Sequence, residues 1–235
     1  MKIGVAIPAY IGHIDSLFKL LDSIQFQTNI PNKVVVSCSS SKNSDFELNC
    51  YLEKLQQYTF SLEIITSEEK KSAAQNRNIA AAKLSDMNYI TFIDADDIMH
   101  PQRIEILLKI FQENDSDIIL HDFLDCEIYD NDSSFKKIEN ENIDVRINSL
   151  KQCYSGCITH KDYNYIFINH IHHGHVSIKQ YIFNILQFPE EPEFYRKEDC
   201  VFCYRVFSLE NIKHSYIVNK LTYYKPSNTQ VLYFT

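Results

Sequence analysis

Short apolar runs and helical stripes take turns along the first half of the chain. Lys2 to Ile7 reads as a β-strand ended by Pro8. Val34, Val35 and Val36 read as a buried strand that gives way to the serine-rich turn Ser37 to Ser41. Leu62 to Thr66, Tyr89 to Ile93 and Asp117 to His121 are further strand-like runs. Between them apolar residues recur at i, i+3, i+4 and i+7, the stripe of an amphipathic helix. Leu17, Leu20, Leu21 and Ile24 form one such stripe, and Leu48, Tyr51, Leu52 and Leu55 another. Ala73 to Ala82 is a third helix, and Ile104, Leu107, Leu108 and Phe111 mark a fourth, with Pro101 near its first turn.

The second half is less regular. Residues 127–149 are polar and acidic without a clean period and read as a variable loop or short excursion. A histidine-rich segment, His170 to His175, leads into Val176-Ser177-Ile178 and then a helix through Leu186. Cys200, Cys203, Tyr204 and Phe207 return to helical spacing, which sets Glu198-Asp199 at a helix start, and Tyr216 to Tyr224 reads as short strands. No internal repeat or low-complexity linker divides the chain, so residues 1–235 are expected to form one domain. Strands alternating with helices predict βαβ units and a mostly parallel sheet. Such sheets hold ligands at the carboxyl ends of their strands. Those ends fall at Pro8-Ala9-Tyr10, Ser37 to Ser41, Thr66 to Glu69, and Asp94 to Asp97.

Composition narrows the function. With 31 acidic and 23 basic residues the formal charge is −8, which disfavours nucleic-acid binding, a task carried by Lys and Arg. No apolar run approaches the ~20 residues that span a bilayer. The N-terminal apolar stretch is interrupted by Pro8 and lacks a small-residue cleavage site, so no signal peptide is expected. Seven cysteines without regular spacing suggest a reducing, cytoplasmic setting rather than a disulfide framework.

The strongest chemical signal is Asp94-Ala95-Asp96-Asp97, directly after an apolar strand. Three carboxylates within four residues repel one another unless a cation joins them, and Mg²⁺ or Mn²⁺ takes such oxygen ligands together with substrate phosphates. Capping of the next helix would account for one aspartate, not three. Glu198-Asp199 has a simpler explanation available, because acids in a first helical turn are favoured by the helix dipole.

These motifs, in order, resemble family 2 glycosyltransferases of the GT-A fold: Ile-Pro-Ala-Tyr after the first strand, Ala-Ala-Gln-Asn-Arg-Asn at a helix, Phe-Ile-Asp-Ala-Asp-Asp after a strand, then Glu198-Asp199. The resemblance covers roughly residues 2–224. It implies an α/β GT-A (Rossmann-like) domain with a mostly parallel, mixed central sheet flanked by helices. Residues 1–125 would handle the nucleotide-sugar and metal, and 126–235 the acceptor and catalytic base. It further implies a nucleotide-sugar donor (a UDP-sugar is favoured), a glycan or other hydroxyl acceptor, Mn²⁺ or Mg²⁺, and inversion at the anomeric carbon. Pro8, Ala9 and Tyr10 match the segment lining base and ribose. Asp94, with Ala95, matches the acid that approaches the ribose. Asp96 matches the acid that reaches the metal, with Asp97 adjacent, and Asp199 matches the catalytic base, with Glu198 beside it.

Several places depart from the family pattern. The acid common after the second strand is absent, leaving Ser37 and Ser39 to hydrogen-bond there. Asn76 is retained, whereas Gln75 stands in the usual arginine position and Asn78 in the usual glycine position. Arg77 is one place late on its helix, a rotation of about 100°. The chain has no Trp, so the Gln-x-x-Arg-Trp motif of processive members cannot exist, and transfer of a single sugar is expected. Among His170, His172, His173 and His175, a strand would put His173 and His175 on one face, and these two are the preferred additional metal ligands. Tyr163 and Tyr195 are candidates for an acceptor groove. Cys153 and Cys157, or Cys200 and Cys203, offer zinc-like spacing, but the second pair lies on a helical stripe where cysteine behaves as a small core residue. A sugar nucleotidyltransferase is a competing class. It needs a Gly-rich basic loop after strand one, and Ala9 to His13 has one Gly and neither Lys nor Arg. A non-catalytic sugar-binding module is the other alternative, opposed by the carboxylates on both sides of the site.

Overall fold

The computed structural model describes residues 1–47, 49–125, 136–147 and 173–224. Among these residues nine strands form one sheet: β1 (Ile3–Tyr10), β2 (Lys33–Ser39), β3 (Ser61–Ser67), β4 (Tyr89–Phe92), β5 (Ile98–Met99), β6 (Ile118–Asp125), β7 (Val145–Ile147), β8 (Ser177–Lys179) and β9 (His214–Tyr224). Their order is β3-β2-β1-β4-β8-β6-β9-β5, with β7 also on β9. β1, β2, β3 and β4 run parallel, as do β6 and β9. β8 is antiparallel to both β4 and β6, and β5 and β7 are antiparallel to β9. The sheet is thus mixed and mostly parallel, as expected.

Among the described residues six α-helices cover it: α1 (Ile14–Gln25), α2 (Asn49–Leu55), α3 (Ala73–Ala82), α4 (Arg103–Asn114), α5 (Gln180–Ile185) and α6 (Glu198–Phe207). Alternation along the strands divides the core into two faces. Val5, Ile7, Val34 and Val36 pack with Leu17, Leu20, Leu21 and Ile24 of α1 and Ile104, Leu107 and Phe111 of α4. Ala6, Val35, Ile90 and Phe92 pack with Ala74, Ala80 and Ala81 of α3 and Phe202, Val206 and Phe207 of α6. Both faces of the sheet are therefore covered, which is why its central strands are apolar throughout. Small residues on α3 let it lie close to the sheet. A methyl at Gly4 of β1 would sit 2.6 Å from Leu84, just past that helix.

The element edges differ from expectation for identifiable reasons. β1 does not stop at Pro8. Ala6 accepts a bond from Ile93 N on the β4 side, so Pro8, of the same parity, points its missing N–H beyond the end of that ladder. β2 likewise runs on to Ser39, because its serine hydroxyls are satisfied internally, and the chain turns only at Ser40, with φ of 54°. The tail is one eleven-residue strand rather than several short ones. β5, of two residues, is too short to leave a periodic signal. Part of the segment expected as loop carries β7. Leu48 of the second predicted stripe lies outside the described residues.

Candidate functional site

β1 has β2 on one side and β4 on the other, which makes its carboxyl end the topological switch point, where α/β sheets take ligands. Three walls meet there.

The first wall is the end of β1 and β2. Pro8 and Ala9 are buried, and Tyr10 is 47% exposed with its ring edge-on to His13 at 4.1 Å. A Cβ at Gly12 would lie 2.4 Å from the Tyr10 ring, so this turn requires glycine for the tyrosine to sit where it does. Ser37 and Ser39 spend their hydroxyls within the protein. Ser37 Oγ bonds Asn76 Oδ1 at 2.9 Å, and Asn76 Nδ2 donates to Ser39 Oγ at 3.2 Å and to the Ala9 carbonyl at 3.1 Å. Asn76 therefore clamps the two strand ends together.

The second wall is the turn after β4. Asp97 N donates to the Asp94 carbonyl, closing a tight turn. Asp94, Asp97 and His175 bring one ligand atom each within 4.8 Å of one another. Asp97 is fully buried, and its Oδ2 lies 2.6 Å from His175 Nε2. Two carboxylates and an imidazole suit a hard-to-borderline divalent ion such as Mn²⁺. Ala95 is buried in the turn and Asp96 is half-buried; the cluster of three does not include Asp96. His173 begins the same short turn as His175, but its side chain lies outside the described residues, as do His170, His172 and Tyr163. Behind the cluster stands Arg103, completely buried on α4. It donates to Thr222 Oγ1, Thr91 Oγ1, the Phe92 carbonyl and the His175 carbonyl at 2.8–3.1 Å. Burial pulls its pKa below the ordinary arginine value, and nearby Asp97 opposes that shift. Sequence reasoning missed Arg103, although it precedes Ile104 and shares a stripe with Leu107 and Ile110, an unusual place for a charge.

The third wall is the N-terminus of α6. Glu198 is buried and Asp199 half-buried, with Asp199 Oδ1 accepting from Cys200 N at 2.8 Å. Burial raises the Glu198 pKa most, the Arg77 guanidinium lowers it, and neighbouring Asp199 raises it again. Cys200 and Cys203 face the core, and burial pushes both thiols up. Cys153 and Cys157 lie outside the described residues.

α3 ties the walls together with three consecutive residues. Asn76 takes the strand ends, as above. Arg77 donates from Nη2 to Asp94 Oδ1 and from Nη1 to Glu198 Oε1, each at 2.7 Å. Asn78 donates to the Phe188 carbonyl and to Glu190, and accepts from Phe188 N. Gln75 caps the helix, pairing with Ser72 in a reciprocal box. Beside this junction a cavity of about 390 Å³ is lined by residues including Ser72, Gln75, Pro189, Glu190, Tyr195 and Glu198. That is the size of a small-molecule site. Tyr195, 60% exposed, is one of its walls.

Fold and site define an α/β protein with an acidic, cation-compatible cleft at its strand ends and a second acidic pair facing it. The Glycosyl transferase family 2 model matches residues 4–163, and the chain belongs to this family. Among curated relatives, an uncharacterised glycosyltransferase of Haemophilus influenzae is 27% identical over 99 residues, covering 39% of this chain and 33% of that protein. The poly(ribitol-phosphate) beta-glucosyltransferase of Bacillus spizizenii is 28% identical over 120 residues, 51% of this chain and 19% of that protein. The chain thus spans a third or less of these relatives' length. Among solved structures, S. aureus TarS in complex with UDP superposes with a TM-score of 0.65 at 19% identity, over 97% of this chain and 61% of that one. TarS in complex with UDP-GlcNAc gives 0.63 at 17% identity, over 97% and 59%. These structures share the fold.

Proposed function

We propose that the protein transfers one sugar from a nucleotide-sugar donor, a UDP-sugar foremost, to a hydroxyl of a glycan or glycoconjugate, with inversion at the anomeric carbon. The observation that carries this reading is the shared guanidinium. Asp94 after β4 and Glu198 on α6 are each 2.7 Å from Arg77, so the acids of the two halves of the chain face one cleft. UDP and UDP-GlcNAc in the TarS structures support the choice of donor.

The geometry supports the following roles. Pro8, Ala9 and Tyr10 line the nucleoside side, with the Tyr10 ring offering an exposed face at the end of β1. Asp94, Asp97 and His175 would hold Mn²⁺ or Mg²⁺, with Asp96 adjacent in the same turn. A divalent ion held there would supply countercharge for the departing diphosphate. Glu198 pairs with Arg77, and Asp199, the next residue on α6 and the one that matches the family's base, is assigned as the base. Asp199 takes the proton from the acceptor hydroxyl as the acceptor oxygen bonds to the anomeric carbon and the bond from that carbon to the diphosphate breaks. The cavity lined by Glu198 and Tyr195 gives a sugar room at the start of the helix that carries that base. Among the described residues no helix is long and apolar enough to cross a membrane. A cytoplasmic setting belongs to the proposal and rests on the cysteine usage.

The test is nucleoside diphosphate release from a panel of nucleotide sugars with Mn²⁺ and glycan acceptors. Asp199→Asn is expected to lower turnover by roughly 10²- to 10⁴-fold, the usual contribution of a positioned base. Full turnover in that variant overturns the assignment. Donor binding without transfer in the wild type supports a binding module instead.

A further inference from the structure

Arg77 is only 3% exposed, yet it does not take a bidentate carboxylate, the arrangement that best satisfies a buried guanidinium. Its fork is split. Nη1 serves Glu198 Oε1 and Nη2 serves Asp94 Oδ1, both at 2.7 Å, and the group lies over the Phe188 ring with 5.4 Å to the centroid. Among the described residues Nε has no hydrogen-bond partner. A residue serving only to neutralise one buried acid needs neither the split nor the orphaned donor.

The two acids have different duties. Asp94 also belongs to the group with Asp97 and His175, so its carboxylate is shared between Arg77 and whatever that group binds. Glu198 is the first residue of α6, and the next residue is Asp199. The Phe188 ring adds a cation–π contact to the two ion pairs, so the guanidinium is held from three sides. We infer that Arg77 is a positioning residue that couples the Asp94 side of the cleft to the N-terminus of α6, so that ligand binding at Asp94 sets the place of Asp199. The role of Asp199 in this inference rests on the glycosyl-transfer reading; the coupling itself is measurable without turnover.

Arg77→Lys tests it, because lysine keeps the charge and loses the fork. Amide hydrogen exchange is followed in the wild type and in R77K, with and without UDP plus Mn²⁺. In the wild type the ligand is expected to slow exchange both at the end of β1 and in the first turns of α6. In R77K protection at β1 remains and protection at α6 is lost. Retained α6 protection in a folded R77K overturns the inference. If R77K does not fold, Glu198→Ala cuts the same link while leaving Arg77 paired with Asp94, and the same loss is expected. For turnover, R77K lowers kcat by roughly 10- to 100-fold with donor KM little changed, the mark of misplacement rather than lost binding. A wild type that shows linked protection but transfers no sugar keeps the coupling and sinks the transferase reading. One that transfers sugar without α6 protection does the reverse.

Discussion

Asn78 illustrates how much of the cleft hangs on single side chains. Buried on α3, it makes three hydrogen bonds at 2.8–2.9 Å, two of them to the backbone of Phe188 and one to Glu190. Asn78→Ala leaves the Phe188 N–H and carbonyl without these partners in a buried setting. Each orphaned group of this kind costs about 1–3 kcal/mol, so a loss of roughly 2–6 kcal/mol in unfolding free energy is expected by chemical denaturation. An unchanged midpoint would show that the segment re-pairs on its own. None of this was legible in the sequence, where Asn78 was notable only for standing in the usual place of a glycine. Arg103 was missed for the same reason: its partners Thr91, Phe92, His175 and Thr222 are brought to it by the fold, not by spacing. Asp94 and Asp97 stood out in the sequence because three carboxylates within four residues need a cause that can be stated without a structure.

The helices and strands themselves were easier to read. A period of 3.6 marks α1 and α4, and short continuous apolar runs mark β1, β2 and β4, since both faces of the sheet are covered there and demand apolar residues. Ends were harder to place. Ser37 and Ser39 read as turn because a satisfied hydroxyl inside a strand looks the same in sequence as a solvated one. The end of α4 offers a test at this level. Asp115, in the left-handed conformation at φ 50°, accepts from Lys179 of β8 and from Lys213 just before β9, both at 2.6 Å. Hydrogen bonds from these two lysines hold its carboxyl down to about 2 from an ordinary value of 3.8. Because the folded value is the lower one, the stabilisation is present above the unfolded pKa and is lost as pH falls toward about 2. Asp115→Asn keeps the turn and removes the titration. Its stability is expected to depend less on pH than that of the wild type between about 4 and 2, as read from urea midpoints. Parallel slopes for the two proteins would refute the linkage.

Considered as a whole, the sheet interleaves the two halves of the chain. β8, from beyond residue 172, lies between β4 and β6, and the long β9 pairs with β5, β6 and β7. Strands from both halves of the chain thus share one sheet. The formal charge of −8 sets the remaining constraint. An anionic diphosphate cannot approach Asp94, Asp96 and Asp97 unless positive charge lies between them, because like charges a few ångströms apart repel even in partly screened surroundings. Donor binding is therefore expected to vanish in EDTA and to return with Mn²⁺ or Mg²⁺, as followed by calorimetry or thermal shift with a UDP-sugar. Full affinity in EDTA would mean that Arg77 alone supplies the countercharge.

The run Asn76-Arg77-Asn78 also bears on how this cleft can change over time. Each residue of the run points about 100° from the last and makes a separate set of attachments. A substitution there breaks one attachment and spares two. Insertion or deletion of one residue in the first turn of α3 would swing all three away from their partners together. The cleft should therefore tolerate a point mutation there, costly as each is, better than a change of length, and a library that varies these three positions will keep more folded members than one that shifts them.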